Sequence, residues 1–346
     1  TFPLFNKRKT QVTMTVSKPP RPRQFSYLND LRLDKNGLRV RQSETTIRLD
    51  TAFLRSGLSV LKLDAYNAVS KTSRALRGQK PAATIAFYPE QPPRWYNIYW
   101  VAHFSNLRIV SDLDEADYIF IFDDATISRA GSDLEDRHAE KAINIDIRNI
   151  SKQHVADVFE EVFGYQLAVD PTVHEGVAVR KSQINGAHDG TLINCPIPPE
   201  TVDPNYVYQR LIDSTYHPHR SEDLRIAYAF GTIATVFHKQ KSVMERFGTK
   251  YLSVDVCLAD DVFSQREQDL LIEFCRRAGL DFGAVDVMRD KNDGRIYVVD
   301  VNKTCMPVLS LPLTVQLEAL RTISAAFASG LSTTRQRQTP LPALVQ

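Results

Sequence analysis

From Ala82 onward, short β-branched and aromatic runs alternate with stretches whose apolar residues recur every three or four positions. ATIAFY has a buried-strand pattern, WYNIYWVAHF after Pro93 has helical aromatic spacing, and SNLRIV and DYIFIFDD add two strands. Strand, helix, strand and strand in so short a span predict a small α/β domain with a parallel sheet. A helix follows in NISKQHVADVFEEVFGY. Ser151 caps it, Val155, Val158, Phe159 and Val162 share a face, and Gly164 ends it. Three strand segments come next: EGVAVRKS, then YVYQRLID at 206–213 ending in an acid, then the strand pair in EDLRIAYAFGTIATVFHKQK. An amphipathic helix spans 264–279, with Leu270, Leu271, Phe274 and Cys275 on its apolar face.

Before Ala82 the patterning is weaker. Residues 1 to about 25 carry KRK and KPPRPRQ, whose prolines oppose regular structure, so a flexible arm is expected. LRV and TIRLD suggest a small strand layer from Leu31 to about Asp64, and Ala65 to Gly78 a helix. The implied division is a basic extension over 1–80, an α/β domain over 81–150, a larger domain over 151–330 and a flexible tail over 331–346.

The most informative stretch is Gly279 to Cys305. GAVDVM and RIYVVDVN, joined by turn-forming residues 291–294, form a predicted β-hairpin. Each run places an acid, Asp286 or Asp300, where its pattern calls for Val or Ile. Burying a lone carboxylate costs more than one strand position returns, so the two acids need a shared partner, and a divalent cation is expected. Asn302 follows Asp300 by two residues, on the same strand face, and offers an amide oxygen to an all-oxygen site.

Composition adds limits. Hydrophobic content of 43% and no apolar run long enough to span a bilayer predict a globular chain without a transmembrane helix. TFPLFNKRKT lacks an apolar signal core, and the four cysteines form no CxxC pair. The expected compartment is therefore reducing and cytoplasmic, and a zinc site is not expected. The formal net charge of +2 hides an asymmetry. Residues 1–80 hold 17 Lys and Arg against 5 Asp and Glu, a net of +12, which leaves 26 against 36, a net of −10, for the rest. The basic segment can rest on its own acidic body or recruit an anionic partner.

Taken in order, a lysine at a helix start, a lysine at a strand end, the small-residue loop of QINGAHDGTLI, a strand ending in an acid, Asp-x-Arg, and a final Asp with Asp-x-Asn make a pattern. It resembles the ATP-grasp superfamily over about residues 150–310. GLDFGAVDVM followed by YVVDVN is its most specific part. Asp-x-Arg at Asp223 and Arg225 looks closer to the glutamate-ligase-like branch than to D-alanine:D-alanine ligases.

The resemblance implies ATP and Mg²⁺ as cofactors and ligation of a small-molecule or peptide carboxylate to an amine. Lys152 and Lys181 look like the phosphate-binding lysines, and Gly186 to Gly190, including His188, like the phosphate cover. Gln209, Arg210 and Leu211 correspond to the adenine-binding strand, and Asp213 to the ribose acid. Asp286, Asp300 and Asn302 look like the metal ligands, Arg225 like the clamp on phosphate or substrate carboxylate, with Arg246 and Lys239 as further neutralising charges. Two features depart from the family. The last acid is usually Glu, and only twenty-nine residues separate Lys152 from Lys181. Phosphoryl transfer onto a retained substrate, and ATP binding without catalysis, stay open, as does oligomeric state.

Singly, several of these residues have plainer roles. Lys152 alone reads as a solvated helix residue, Asp223 and Arg225 as a surface pair, and Cys305 as a core thiol. Asp123–Asp124, at a strand tip, reads as a capping or turn feature and is not counted in the site.

Overall fold

The structure, a computed structural model, describes residues 31–34, 37–40, 46–47 and 51–338, apart from 188, 246–247 and 249–250. The predicted arm, His188 and Arg246 lie outside the described residues. Strands β1 (Leu31–Asp34), β2 (Gly37–Val40) and β3 (Thr46–Ile47) form a small antiparallel sheet. Helix α1 (Thr51–Leu76) follows, beginning well before the predicted Ala65. Its buried contacts come from Leu63, Val60 and Tyr66, while Leu54, Leu58 and Leu61 are exposed. Apolar residues on both sides of the helix blur the periodicity on which the sequence expectation rests.

The α/β unit consists of β4 (Ala83–Pro89), α2 (Asn97–Phe104), β5 (Leu107–Ile109), β6 (Tyr118–Phe122), the short α3 (Asp136–Ala139) and β7 (Ala142–Ile143). Its four strands are parallel, in the order β5-β4-β6-β7. Every residue of β6 is buried, as its unbroken apolar run requires of a strand covered on both faces.

Helix α4 (Lys152–Phe163) begins where predicted, with the Ser151 hydroxyl accepting from the His154 amide, and ends at Gly164 in the left-handed conformation, φ 75°. A three-stranded antiparallel sheet then forms from β8 (Gly176–Ser182), β9 (Thr191–Cys195) and β10 (Tyr206–Arg210), in the order β10-β8-β9. Strand β10 stops at Arg210, so Asp213 lies beyond the strand and does not end it. The largest sheet contains β11 (Thr215–His217), β12 (Arg220–Ala229), β13 (Thr232–Ser242), β14 (Ser253–Cys257), β15 (Phe282–Arg289) and β16 (Ile296–Asn302), with α5 (Gln265–Arg277) between β14 and β15. Its order is β14-β13-β12-β15-β16, with β11 on β12. A capping box between Ser264 and Glu267 starts α5. Helix α6 (Leu313–Gln338) continues through the first residues of the predicted tail; residues 339–346 lie outside the described ones.

One face of the large sheet is apolar, and the other is divided between a second core, which Ala227, Phe237, Phe282 and Ala284 enter, and a polar patch. Leu224, Ile226, Val236, Val285, Val287 and Val301 join Val155, Val158 and Phe159 of α4 and Leu271, Phe274 and Cys275 of α5 in one core. Because strand side chains alternate, Asp223, Arg225, Asp286, Asp300 and Asn302 are displayed on the opposite face. A bulge sharpens this division: Asp286 pairs with Asp300, but its neighbour Val287 pairs with Val298. The extra residue keeps Val298 in the core while Asp300, two positions on, faces the polar side.

Gly283 allows β15 and β16 to approach at the site. A Cβ there would lie 2.7 Å from the backbone oxygen of Asn302, an atom that cannot rotate away. Gly283→Ala is expected to lower stability by about 1–3 kcal/mol, the usual range for overpacking, and to displace Asn302. Denaturant titration checks the first effect, and an unchanged midpoint would contradict it.

Candidate functional site

Cross-strand register builds the centre of the site. Arg225 of β12 lies opposite Asp286 of β15, and Asp286 lies opposite Asp300 of β16. The Arg225 guanidinium donates to both Asp286 oxygens, Nε to Oδ1 and Nη2 to Oδ2, at 2.6 Å each. Nδ2 of Asn302 donates to Asp286 Oδ2 at 3.2 Å, and Lys239 Nζ stands 3.9 Å from Asp286 Oδ1. Burial opposes the charged form of Asp286, but Arg225 and Lys239 outweigh it and hold the carboxyl well below the usual carboxylate range. Burial and the neighbouring Arg225 charge push Lys239 down to about 8.

Lys152, the first residue of α4, donates to Asp300 Oδ1 at 2.7 Å and is only 8% exposed. This corrects its description as a solvated helix residue: the α4 start projects the ammonium across the polar face of the sheet. Asp223 and Arg225 do not form the expected surface pair. Each has its own partner, Asp223 taking Lys241 at 2.5 Å and Arg225 taking Asp286. The two strand acids therefore already have protein cations beside them. Their burial does not by itself demand a metal, which corrects the expectation that they lack partners.

Lys181, on β8, belongs to the same cluster. Burial lowers it to about 8, and the charges acting on it are those of Asp300, Lys152, Asp223 and Asp286. Beside it on the same side of the β8–β10 pair lies Gln209, opposite Val179 where Lys181 is opposite Val207. Gln209 is 1% exposed, and neither its amide oxygen nor its nitrogen has a hydrogen-bond partner among the described residues. Such an unmet amide costs about 1–3 kcal/mol, a penalty that a ligand edge would remove. Gly186 takes φ 70° in the loop between β8 and β9, where a side chain would be strained; Gly190 closes that loop.

Other predicted residues are already engaged within the chain. The Asp213 carboxylate accepts from Lys291 at 2.7 Å and from the Thr215 amide. The Arg210 guanidinium packs over the Tyr297 ring at 4.9 Å and lies near Asp290 and Asp293, while its amide donates to the Leu167 carbonyl. Leu211 is half-buried just after β10.

The structure adds a polar group that the sequence reading leaves out. Beyond Asn302, the chain brings Lys303 and Thr304 to the tip of β6, where Thr304 Oγ1 donates to Asp124 and Tyr96 donates to the same carboxyl. Lys303 is 3% exposed, and its ammonium has no hydrogen-bond partner among the described residues. Burial raises the Asp124 carboxyl and lowers Lys303, although each charge favours the other. The available signal was the position of Asp123–Asp124 at the carboxyl end of a parallel strand, where α/β sheets gather ligands. Cys305 is a buried thiol accepting from Asn97, consistent with a core role.

The donor set is suited to a hard divalent cation. Asp286 and Asp300 are cross-strand neighbours, and Asp300 Oδ2 and Asn302 Oδ1 accept no hydrogen bond among the described residues. All these donors are oxygens, the ligand type magnesium prefers. Among the described residues, no group of three or more His, Cys, Asp and Glu is placed to hold a metal, so such a site would need the Asn302 amide.

Neither a family model nor a curated protein matches the chain. Solved structures do match. The chain's structure is similar to those of ATP-grasp ligases. The ATP-grasp ligase PsnB complexed with minimal precursor has a TM-score of 0.46 at 11% identity, covering 72% of this chain and 98% of that one. D-alanine–D-alanine ligase from Bacillus anthracis complexed with ATP gives 0.42 at 11%, over 75% and 100%. Macrocyclase MdnC bound with precursor peptide MdnA, from Microcystis aeruginosa MRC, gives 0.41 at 12%, over 70% and 98%. These are distant likenesses, at 11–12% identity.

Proposed function

We propose that the chain is an ATP-dependent ligase that activates a substrate carboxylate as an acyl phosphate and joins it to an amine. One observation carries this: Lys152, Lys181, Arg225 and Lys239 converge on Asp286 and Asp300 across the polar face of a rigid sheet. Four cations around two carboxylates offer a place for a polyanion, and triphosphate chemistry consists largely of holding and neutralising charge.

Lys152 and Lys181 bind phosphate oxygens, and the backbone amides of the Gly186–Gly190 loop close over them, with His188 in that loop. Gln209 meets the adenine edge with its buried amide, beside backbone groups of Arg210 and Leu211, and Asp213 exchanges Lys291 for the ribose hydroxyls. Arg225 spends two of its five N–H donors on Asp286 and has three left for a substrate carboxylate. A carboxylate oxygen held there attacks the γ-phosphorus. The bond from that phosphorus to the bridging oxygen breaks, and ADP leaves. The amine then attacks the acyl carbon, the carbon–oxygen bond to phosphate breaks, and inorganic phosphate departs as the amine loses a proton. Arg225 and Lys239 hold the transferred phosphoryl group, with Arg246 as a further charge. Asp286, Asp300 and Asn302 would hold Mg²⁺, which when bound neutralises phosphate charge. Lys303, buried beside Asp124 with no hydrogen-bond partner among the described residues, is a second cation that an entering carboxylate would meet.

Product analysis tests the reading. The chain with ATP, Mg²⁺ and a metabolite extract should yield ADP and inorganic phosphate in equal amounts together with a new amide found by mass spectrometry. A phosphorylated product without free phosphate would indicate kinase-like transfer, and absence of ADP with any substrate pool would leave a binding module.

A pH dependence follows from Lys181. Only its protonated form attracts phosphate, and its midpoint lies at about 8. ATP affinity should be full below that point and decline as pH rises through it. In Lys181→Arg, whose guanidinium stays charged, that decline should become shallower, the remainder coming from Lys239, which burial and Arg225 also hold at about 8. Titrations across the range check this, and an identical pH profile in the variant would contradict it.

A further inference from the structure

A polar cavity lies between α1, α2 and α6 and shares no residue with the site above. It has a volume of about 190 Å³, and its lining includes Tyr66, Asn67, Ser70, Arg74, His103 and Arg321. Two guanidinium groups line it and, among the described residues, no carboxylate does. Arg321 donates to the Tyr66 hydroxyl at 2.7 Å, and Arg74 donates to the His103 carbonyl at 3.3 Å, so each retains further N–H groups. Asp64, the acid that acts on neighbouring Lys71, is paired with Arg94 at 3.2 Å.

The cavity also contains a polar side chain whose bonding is incomplete. His103 is 5% exposed, and neither ring nitrogen has a hydrogen-bond partner among the described residues. Burial, then Lys71, Arg74 and Arg94, push this imidazole down to about 3, as a local excess of positive charge requires. A neutral imidazole has one N–H to donate. Asn67, also buried, adds an amide, and Ser70 a hydroxyl. Forked guanidinium donors, a hydroxyl and an imidazole around a small space are the chemistry that recognises an oxyanion.

We propose that this cavity binds a small oxyanion, phosphate or carboxylate, which clamps α1 onto the body of the protein. The apolar part of that contact is one cluster, in which Leu63, Val60 and Tyr66 of α1 meet Trp100, Phe104, Leu317 and Leu320. An anion shared by Arg74 and Ser70 of α1, His103 of α2 and Arg321 of α6 ties all three helices and offsets the repulsion among their charges. It gives the basic N-terminal segment a specific anionic ligand in place of a diffuse attraction.

The test is thermal unfolding of the full chain at constant ionic strength, with chloride replaced by millimolar inorganic phosphate or malonate. Three variants are compared: Arg321→Gln removes a donor, Ser70→Glu places a negative charge in the cavity, and Lys181→Met alters only the other site. One or both anions should raise the Tm by about 3 °C in the unaltered chain and in Lys181→Met, and by nothing measurable in Arg321→Gln and Ser70→Glu. The anion giving the larger rise identifies the class. No rise over chloride, a rise that persists in both cavity variants, or one lost in Lys181→Met would overturn the proposal.

Discussion

Asp300→Ala is expected to reduce ATP turnover by at least about a hundredfold while the chain stays folded, the usual scale for removing one preorganised charge from a reacting centre. Two effects combine. Lys152 loses the carboxylate that holds its ammonium at 2.7 Å across the sheet face, and the proposed cation loses one of its two charged ligands. The fold survives because Asp300 lies on the polar face, away from the core that Val298 and Val301 enter from the same strand. ADP release at saturating ATP and Mg²⁺, with circular dichroism to check folding, measures both parts. Undiminished turnover would remove Asp300 from the chemistry.

Asp286→Ala should have the larger effect on stability, because it strands Arg225. Breaking a buried pair from one side costs about 3 kcal/mol here, at the lower end of the range because both partners keep some exposure. The double substitution Arg225→Met with Asp286→Leu should recover most of that loss, since no buried charge is left unmatched, yet remain inactive. Urea midpoints and ADP release on the single and double variants separate the two roles. A double variant as unstable as Asp286→Ala, or one that turns over ATP, would contradict this account of the pair.

Much of this geometry could be read from local pattern. Ser151 and Gly164 set the ends of α4, and the alternation along β12, β15 and β16 put Arg225, Asp286, Asp300 and Asn302 on one face. What the sequence could not supply was pairing between distant segments. Lys152 and Asp300 are 148 residues apart, and nothing in the residues around Lys152 indicates that α4 aims it over the sheet. For the same reason, the two strand acids looked uncompensated when each in fact has a cation beside it. The periodicity does not mark the start of α1, because its apolar residues are split between a buried and an exposed side. The Asp124–Thr304 contact joins segments 180 residues apart, so the role of the acidic tip became visible only once β6 and the end of β16 were seen together.

That the polar face of the large sheet is a nucleotide site is tested most directly by calorimetric titration of the chain with ATP in the presence of Mg²⁺, alongside Lys181→Met and Gln209→Leu. The expected result is one ATP bound per chain, with affinity reduced about tenfold or more in Lys181→Met through loss of a charged phosphate contact, and reduced also in Gln209→Leu. No binding by the unaltered chain, or equal affinity in all three proteins, would contradict it.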